Sequence, residues 1–167
     1  MDKGIALLTR LLQQAYDRKA WHGTNLRGSL KGLTPAQAAW RPGPGRHSIQ
    51  ELALHCAYWK YTVVRRLTGA KRGSFPLKGS NFFPRPELPT AEEWRADLRL
   101  LEETHRTLIA TVGSLCDSDL ARKAPGGTGA VTIEAVVYGV ACHDVYHAGQ
   151  IQLIKRGNKD HAVGQRR

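Results

Sequence analysis

Two histidines lie four residues apart in the segment ACHDVYHAGQIQLIKR, residues 141–156. Residues at this spacing share one face of a helix, so the imidazoles of His143 and His147 can reach a common point. Both lie on the apolar stripe of the predicted helix, where a protonated imidazole would be poorly solvated. Neutral imidazole is the form that binds metal ions. The pair therefore indicates a metal site, although a chain with seven histidines also produces such a spacing by chance.

A third imidazole is expected to face the same core from an earlier helix. His55 shares a helix face with Leu52, Trp59 and Val63, and this apolar face predicts an inward orientation. Taken alone, His55 is also consistent with a hydrogen-bonded core histidine. Together with the pair, it gives three imidazoles on two facing helices. Three protein ligands with open positions are typical of a catalytic zinc site.

Four long amphipathic segments, separated by loops rich in glycine and proline, are expected to carry these residues. The first is predicted over residues 3–18 and the second over 48–69, where Ser48 begins a capping box. A second capping box predicts that the third helix starts at Thr90, and the fourth is predicted to start near Thr132. We find no convincing strand, so the pattern predicts an all-α four-helix bundle.

The remaining segments complete the predicted architecture. Short helices are expected at 24–30 and 34–39, and a long loop of basic and aromatic residues at about 69–90 joins the second and third long helices. A flexible tail is expected at about 157–167. The length of the chain predicts a single helical domain spanning residues 1–167.

Three segments resemble the DinB/YfiT-like superfamily of metal-binding four-helix bundles. They are WRPGPGRHSIQEL leading into the second long helix, SIQELALHCAYWKY within it, and ACHDVYHAGQI in the last helix. The family signature is one histidine in the second long helix and HxxxH followed by GQ in the last. The resemblance implies an up-down-down-up or similar topology. It also implies that His55, His143 and His147 bind a divalent metal, usually zinc or nickel, with water completing the coordination shell.

The same resemblance implies a range of activities. Family members include S-transferases and isomerases that depend on a low-molecular-weight thiol such as glutathione, mycothiol or bacillithiol, but most have no assigned reaction. The resemblance therefore specifies the fold much better than it specifies the substrate.

Three polar residues near the proposed ligands have alternative roles. Glu51, one turn before the histidine of the second helix, either orients the metal or only closes the capping box. Asp144 occupies the position of the general base in HExxH zinc peptidases, but it is one methylene shorter, so a supporting or surface role is expected. Gln150 is placed to hydrogen-bond a ligand or substrate, or else only local polar groups.

Other residues are candidates for the walls of the pocket. Trp59, with Tyr58 and Tyr146, either lines the site or packs in the core. His22 in the segment AWHG lies at a helix break, where it can reach the mouth of the site. The loop FPLKGSNFFPRP either closes over this mouth and attracts an anionic substrate, or packs down on the surface through Phe75, Phe82 and Phe83.

The remaining histidines and two cysteines are expected to have no role in the site. Cys56 and Cys142 neighbour proposed ligands but should pack as small buried hydrophobes, with a soft metal ligand as the alternative. His105 lies on the core stripe of the third helix and should pack there. His47 and His161 should be solvated.

Composition narrows the class of protein. The net charge of +11 invites nucleic-acid binding, but the basic residues are spread along the chain without a DNA- or RNA-binding motif. No apolar run reaches the roughly 20 residues of a membrane helix. The N-terminal segment lacks a secretory apolar region, and three cysteines without CxxC spacing suit a reducing compartment, so we expect a cytoplasmic protein.

These patterns together predict a metal-dependent enzyme acting on a small molecule, anionic or thiol-containing. A thiol nucleophile predicts S-transfer or isomerisation, and a water nucleophile predicts hydrolysis. A non-catalytic, stress-related bundle that binds a metal or ligand is the second class. A homodimer is compatible with such a bundle, although no residue pattern demonstrates it.

Overall fold

A computed structural model describes residues 2–126 and 131–164, with side chains described as far as Lys159. These residues form six α-helices, which are α1 (Lys3–Tyr16), α2 (Leu26–Leu30), α3 (Pro35–Ala39), α4 (Ile49–Thr68), α5 (Ala91–Gly113) and α6 (Ile133–Gly164). Within the described ranges no strand forms, and the one β-bridge pairs Lys123 with Thr132. The predicted all-α class is confirmed. None of the helices in these ranges has both the length and the apolar content that crossing a membrane requires.

The helix that carries His55 begins and ends where the sequence predicts. Ser48 Oγ accepts a hydrogen bond from the Glu51 amide at 3.3 Å, and the Ser48 amide donates to Glu51 Oε2 at 3.0 Å. This reciprocal pair satisfies amide groups that the first turn of a helix leaves unpaired. Gly69 ends α4 in the left-handed conformation, with φ of 70°, which glycine adopts without the steric cost of a Cβ.

The four long helices pack so that each touches two others. Helix α4 contacts α5 and α6, and α1 also contacts α5 and α6. Aliphatic side chains fill the space between them, among them the fully buried Leu12, Leu101, Leu108 and Ile151. Each such side chain stabilises the fold by about 1.5–3 kcal/mol relative to an exposed one. The up-down-down-up order of helix directions stays a prediction. The contact between α4 and α6 brings the two histidine-bearing helices together.

Helix α6 is longer than the sequence predicts. It continues to Gly164, past residue 157 where the tail is expected to begin, and residues 165–167 lie outside the described part of the chain. Lys155 Nζ donates to the backbone carbonyls of Ser29 at 2.8 Å and Lys31 at 3.1 Å, which ties α6 to α2. Gly157 lies against the ring of Trp40. These contacts hold the helix where a lone glycine does not end it.

Candidate metal centre

Three imidazole nitrogens converge at the contact between α4 and α6. His143 Nε2 lies 3.0 Å from His55 Nε2 and 3.0 Å from His147 Nε2. The candidate ligand atoms of the three residues all lie within 4.8 Å of one another. Helix α4 supplies His55, and the spacing of His143 and His147 on α6 puts their rings one turn apart on one face. The structure therefore brings together the three histidines that the sequence singles out.

The other ring nitrogens determine which atoms face this point. His55 Nδ1 donates to the carbonyl of Asn81 at 3.0 Å, and His147 Nδ1 donates to Gln150 Oε1 at 2.7 Å. A neutral imidazole carries one proton, so these two rings present bare Nε2 lone pairs to the centre. His143 Nδ1 is buried and has no partner among the described atoms. At least two bare lone pairs thus face the third histidine, His143, and a cation among the three nitrogens would stabilise this arrangement.

The surroundings keep the rings neutral. Burial lowers the pKa of His55 to about 4 and that of His143 to about 3, and burial also lowers the pKa of His147. Only 6% of His55 and 5% of His147 is exposed. Nitrogens bound to one tetrahedral zinc at about 2.0–2.1 Å lie roughly 3.3 Å apart. The observed spacing of 3.0 Å is close to that value, and the donor set fits a zinc or nickel ion.

A comparison with protein families assigns the fold. The family model of the DinB superfamily matches residues 18–151. The chain belongs to the DinB superfamily. No match was found among curated proteins. The matched residues include all three converging histidines of this DinB-superfamily chain, and the predicted resemblance is confirmed at the level of the family.

Two loop residues contact the centre, Phe82, which the sequence analysis names, and Asn81, which it does not. The Asn81 carbonyl accepts a hydrogen bond from His55 Nδ1, and Asn81 Oδ1 accepts one from Trp59 Nε1 at 3.0 Å. Phe82 stacks on the His55 ring at 4.2 Å and on the His47 ring at 3.7 Å. His47 is exposed, as the sequence predicts, while this stacking and a 3.3 Å contact with Glu51 orient its ring.

The 69–90 loop in this way forms one wall of the centre. It contains no helix, and its three phenylalanines pack against different partners. Phe82 covers His55, whereas Phe75 and Phe83 pack against Tyr58 at 5.3 and 5.5 Å. The loop therefore both covers one histidine of the centre and packs down through its other two phenylalanines, whereas attraction of an anionic substrate stays a prediction.

The aromatic candidates differ in how close they lie to the histidines. The ring of Trp59 is 6.1 Å from His143 and 6.3 Å from His55, so it forms a second wall. Tyr146 is 63% exposed, and its ring lies 5.0 Å from His147 at the outer edge. Tyr58 packs against Phe75 and Phe83 of the loop, away from the imidazoles.

Glu51 has its carboxylate occupied away from the centre. Arg41 donates to both of its oxygens, at 2.8 and 2.6 Å, and the Ser48 amide donates to one of them. Burial tends to raise the pKa of the Glu51 carboxyl, but the hydrogen bonds from Arg41 and Ser48 overcome this and hold the pKa below its usual value. Its capping role and its pairing with Arg41 account for Glu51, and it does not belong to the group of candidate ligands.

Asp144 is fully buried, so of its two expected roles the surface position is wrong and the supporting role remains. Its Oδ2 accepts a hydrogen bond from the equally buried Lys60, in an ion pair that joins α6 to α4. Burial raises the pKa of the Asp144 carboxyl, and the Lys60 ammonium opposes that rise. Because Lys60 binds it, Asp144 is not a free general base. A sequence signal for Lys60 existed, since it occupies an apolar stripe with Cys56 and Val63.

The other candidates lie apart from the three converging histidines. His22 is exposed and makes no contact with the described residues of the centre. His105 is buried and stacks on Tyr16 at 3.8 Å, as its core position predicts. Cys56 is buried beside His143, but Cys142 is exposed because its position on α6 faces solvent, so its predicted burial is wrong. The side chain of His161 lies outside the described residues.

Proposed function

We propose that this protein is a metal-dependent enzyme that activates a small nucleophile at His55, His143 and His147. The observation that carries the proposal is the convergence of three Nε2 atoms, two of which must be unprotonated because their Nδ1 protons are donated elsewhere. Zinc or nickel held by these atoms would act as a Lewis acid and lower the pKa of a thiol or water.

The protein's own residues prepare the site for this chemistry. The Asn81 carbonyl and Gln150 Oε1 fix the tautomers and ring planes of His55 and His147. The two rings therefore do not have to be ordered when a metal ion binds. Phe82 and Trp59 cover the His55 and His143 rings with apolar surface. Exclusion of water strengthens the electrostatic interactions of a bound anion with the centre.

We assign a low-molecular-weight thiol as the nucleophile and S-transfer as the reaction class. Two observations support this choice. The chain belongs to a superfamily whose members include thiol-dependent enzymes, and apolar rings surround the histidines, which favours a thiolate because it is less strongly hydrated than hydroxide. Water as the nucleophile would make the protein a hydrolase, and a saturated coordination shell would make it a non-catalytic binding protein. The experiments below distinguish these three.

Metal content tests the site itself. Elemental analysis of purified protein should give about one zinc or nickel per chain, which His55→Ala and His147→Ala should both lose. His22→Ala removes an exposed histidine that does not contact the centre and should retain the metal. Unchanged metal content in the His55 and His147 variants would refute the proposal.

Activity panels test the reaction. Metal-loaded protein should conjugate thiols to an electrophile such as 1-chloro-2,4-dinitrobenzene, and the rate should vanish on chelation and in His143→Ala. Hydrolysis of an ester, amide or lactam panel with the same metal dependence would instead identify a hydrolase. A loaded protein inactive on both panels, with no exchangeable water at the metal, would identify a binding protein.

A further inference from the structure

A concave cavity of about 630 Å³ lies beside the candidate metal centre, between α4 and the 69–90 loop. Cavities of about 300–1,000 Å³ are typical of sites for small molecules. Trp59 and Asn81 belong both to the wall of this cavity and to the surroundings of His55. The cavity therefore opens next to the three proposed ligands.

The cavity wall carries four cationic side chains and no carboxylate. Arg65 and Arg66 come from the last turn of α4, whereas Arg72 and Lys78 come from the loop. Among the described side chains, none of these four pairs with an acidic group, and the guanidinium of Arg66 lies 5.7 Å from the Trp59 ring. Four positive charges thus line one concave surface without neutralisation.

A larger cavity of about 1030 Å³ between α1, α2 and α5 provides the contrast. It also contains arginines, but Arg95 and Arg99 both bond to Glu92, at 3.1 and 2.6 Å. Arg106 bonds to Glu102 at 3.1 Å, and Glu102 itself lines that cavity. An anion there would compete with carboxylates already in place, so the smaller cavity is the stronger candidate for binding anions.

The helix dipole does not explain the whole cluster. Basic residues in the last turn of a helix interact favourably with its C-terminal end, which accounts for Arg65 and Arg66. Arg72 and Lys78 follow the end of α4 and lie in a segment without helix. Within the same wall, hydrogen bonds from Ser74 lower the pKa of Tyr61, and the charge of Arg65 makes a smaller contribution in the same direction.

We infer that this cavity binds a dianionic group, a phosphate or a pair of carboxylates, of the molecule that reacts at the neighbouring centre. The link to a reacting molecule rests on the proposed function, whereas the anion site rests on the cavity alone. The Arg66 guanidinium lies 5.7 Å from the Trp59 ring, and that ring lies 6.3 Å from the His55 ring, so at most about 12 Å separate the guanidinium from the imidazole. A small ligand can therefore place its reacting atom at the histidines and its dianion at the cations.

Calorimetric titration with sulfate, a phosphate mimic that binds metal ions weakly, and with succinate tests this inference. The titrations use protein as purified, at low ionic strength held constant with chloride. The double variant Arg65→Gln/Arg72→Gln should bind the preferred dianion about tenfold more weakly than the wild type. The control Arg95→Gln/Arg99→Gln loses the same charge from the other cavity and should stay within twofold. Preference for sulfate identifies a phosphate, and preference for succinate identifies a dicarboxylate.

Metal content separates this inference from the proposed function. Arg65→Gln/Arg72→Gln should keep its metal while losing the anion, and His55→Ala should lose its metal while still binding the anion. Equal weakening in both double variants would show an effect of net charge only and overturn the site. So would duplex DNA binding with a steep salt dependence that Arg65→Gln/Arg72→Gln abolishes, because the cluster would then be a nucleic-acid surface.

Discussion

Replacing Lys60 with methionine tests the buried ion pair behind the candidate metal centre. The side chains of Lys60 and Asp144 are both 0% exposed, and Asp144 Oδ1 has no partner among the described atoms, so the Lys60 ammonium is the donor for this carboxylate. Removing one partner of a buried pair costs about 3–5 kcal/mol, because the remaining charge loses its partner without regaining water. At roughly 2–4 °C per kcal/mol for a chain of this size, Tm should fall by about 6–20 °C.

Urea unfolding of four proteins measures the coupling directly. They are the wild type, Lys60→Met, Asp144→Leu and the double variant, all free of metal and at pH 7. Each single variant should lose about 3–5 kcal/mol in free energy of unfolding, whereas the double variant should lie much closer to the wild type, because two apolar side chains of similar size leave no charge unpaired.

The exposed lysine Lys71 provides a matched control for Lys60. Lys71→Met removes the same charge from an exposed loop position and should leave the unfolding curve unchanged. A loss of less than about 1 kcal/mol in Lys60→Met would refute the reasoning. Additive losses in the double variant would refute it equally, since independent residues show no coupling energy.

Three further substitutions probe other contacts. Burial holds the pKa of His105 at about 3 in the folded protein, against about 6.5 in the unfolded chain, so the unfolded chain binds a proton first and the free energy of unfolding falls as the pH drops from 6.5 towards 3. Between pH 6.5 and 5, the free energy of unfolding of His105→Phe should therefore fall by about 2 kcal/mol less than that of the wild type, as measured by urea unfolding. Gln150→Ala frees the His147 ring and should weaken metal binding about 10–100-fold in chelator competition. Asn81 has φ of 67°, so Asn81→Val should destabilise the fold by about 1–3 kcal/mol and weaken metal binding at His55, whereas Asn81→Gly should retain metal binding.

Local signals in the sequence predicted the helices and the inward direction of the three histidines. Capping boxes fixed the starts of α4 at Ser48 and of α5 at Thr90, because the hydrogen bonds involved span only three residues. The inward direction of His55 followed from helical periodicity. Short-range rules of this kind hold whenever tertiary packing agrees with local preference.

The residues that sequence analysis missed depend on long-range contacts. Asn81 reaches His55 across 26 residues, and Lys60 reaches Asp144 across 84. Turn propensity shows that asparagine tolerates a left-handed conformation, but not which side chain its carbonyl meets. The lysine in an apolar stripe was a visible anomaly whose partner the sequence could not name. Likewise, Phe82 covers the centre only because the loop folds back over α4.

We expect the 69–90 loop to make metal and anion binding interdependent. Asn81 fixes the tautomer of His55, and the same loop supplies Arg72 and Lys78 to the cationic cavity. A dianion bridging these loop cations to Arg65 on α4 would hold Asn81 against His55, so sulfate should tighten zinc binding severalfold. By linkage, zinc must then tighten sulfate binding by the same factor. Zinc affinity measured with sulfate or with chloride at equal ionic strength tests this, with Arg65→Gln/Arg72→Gln as the control that should show no difference. Identical affinities in the wild type would mean that the loop holds His55 in place whether or not the cavity is filled.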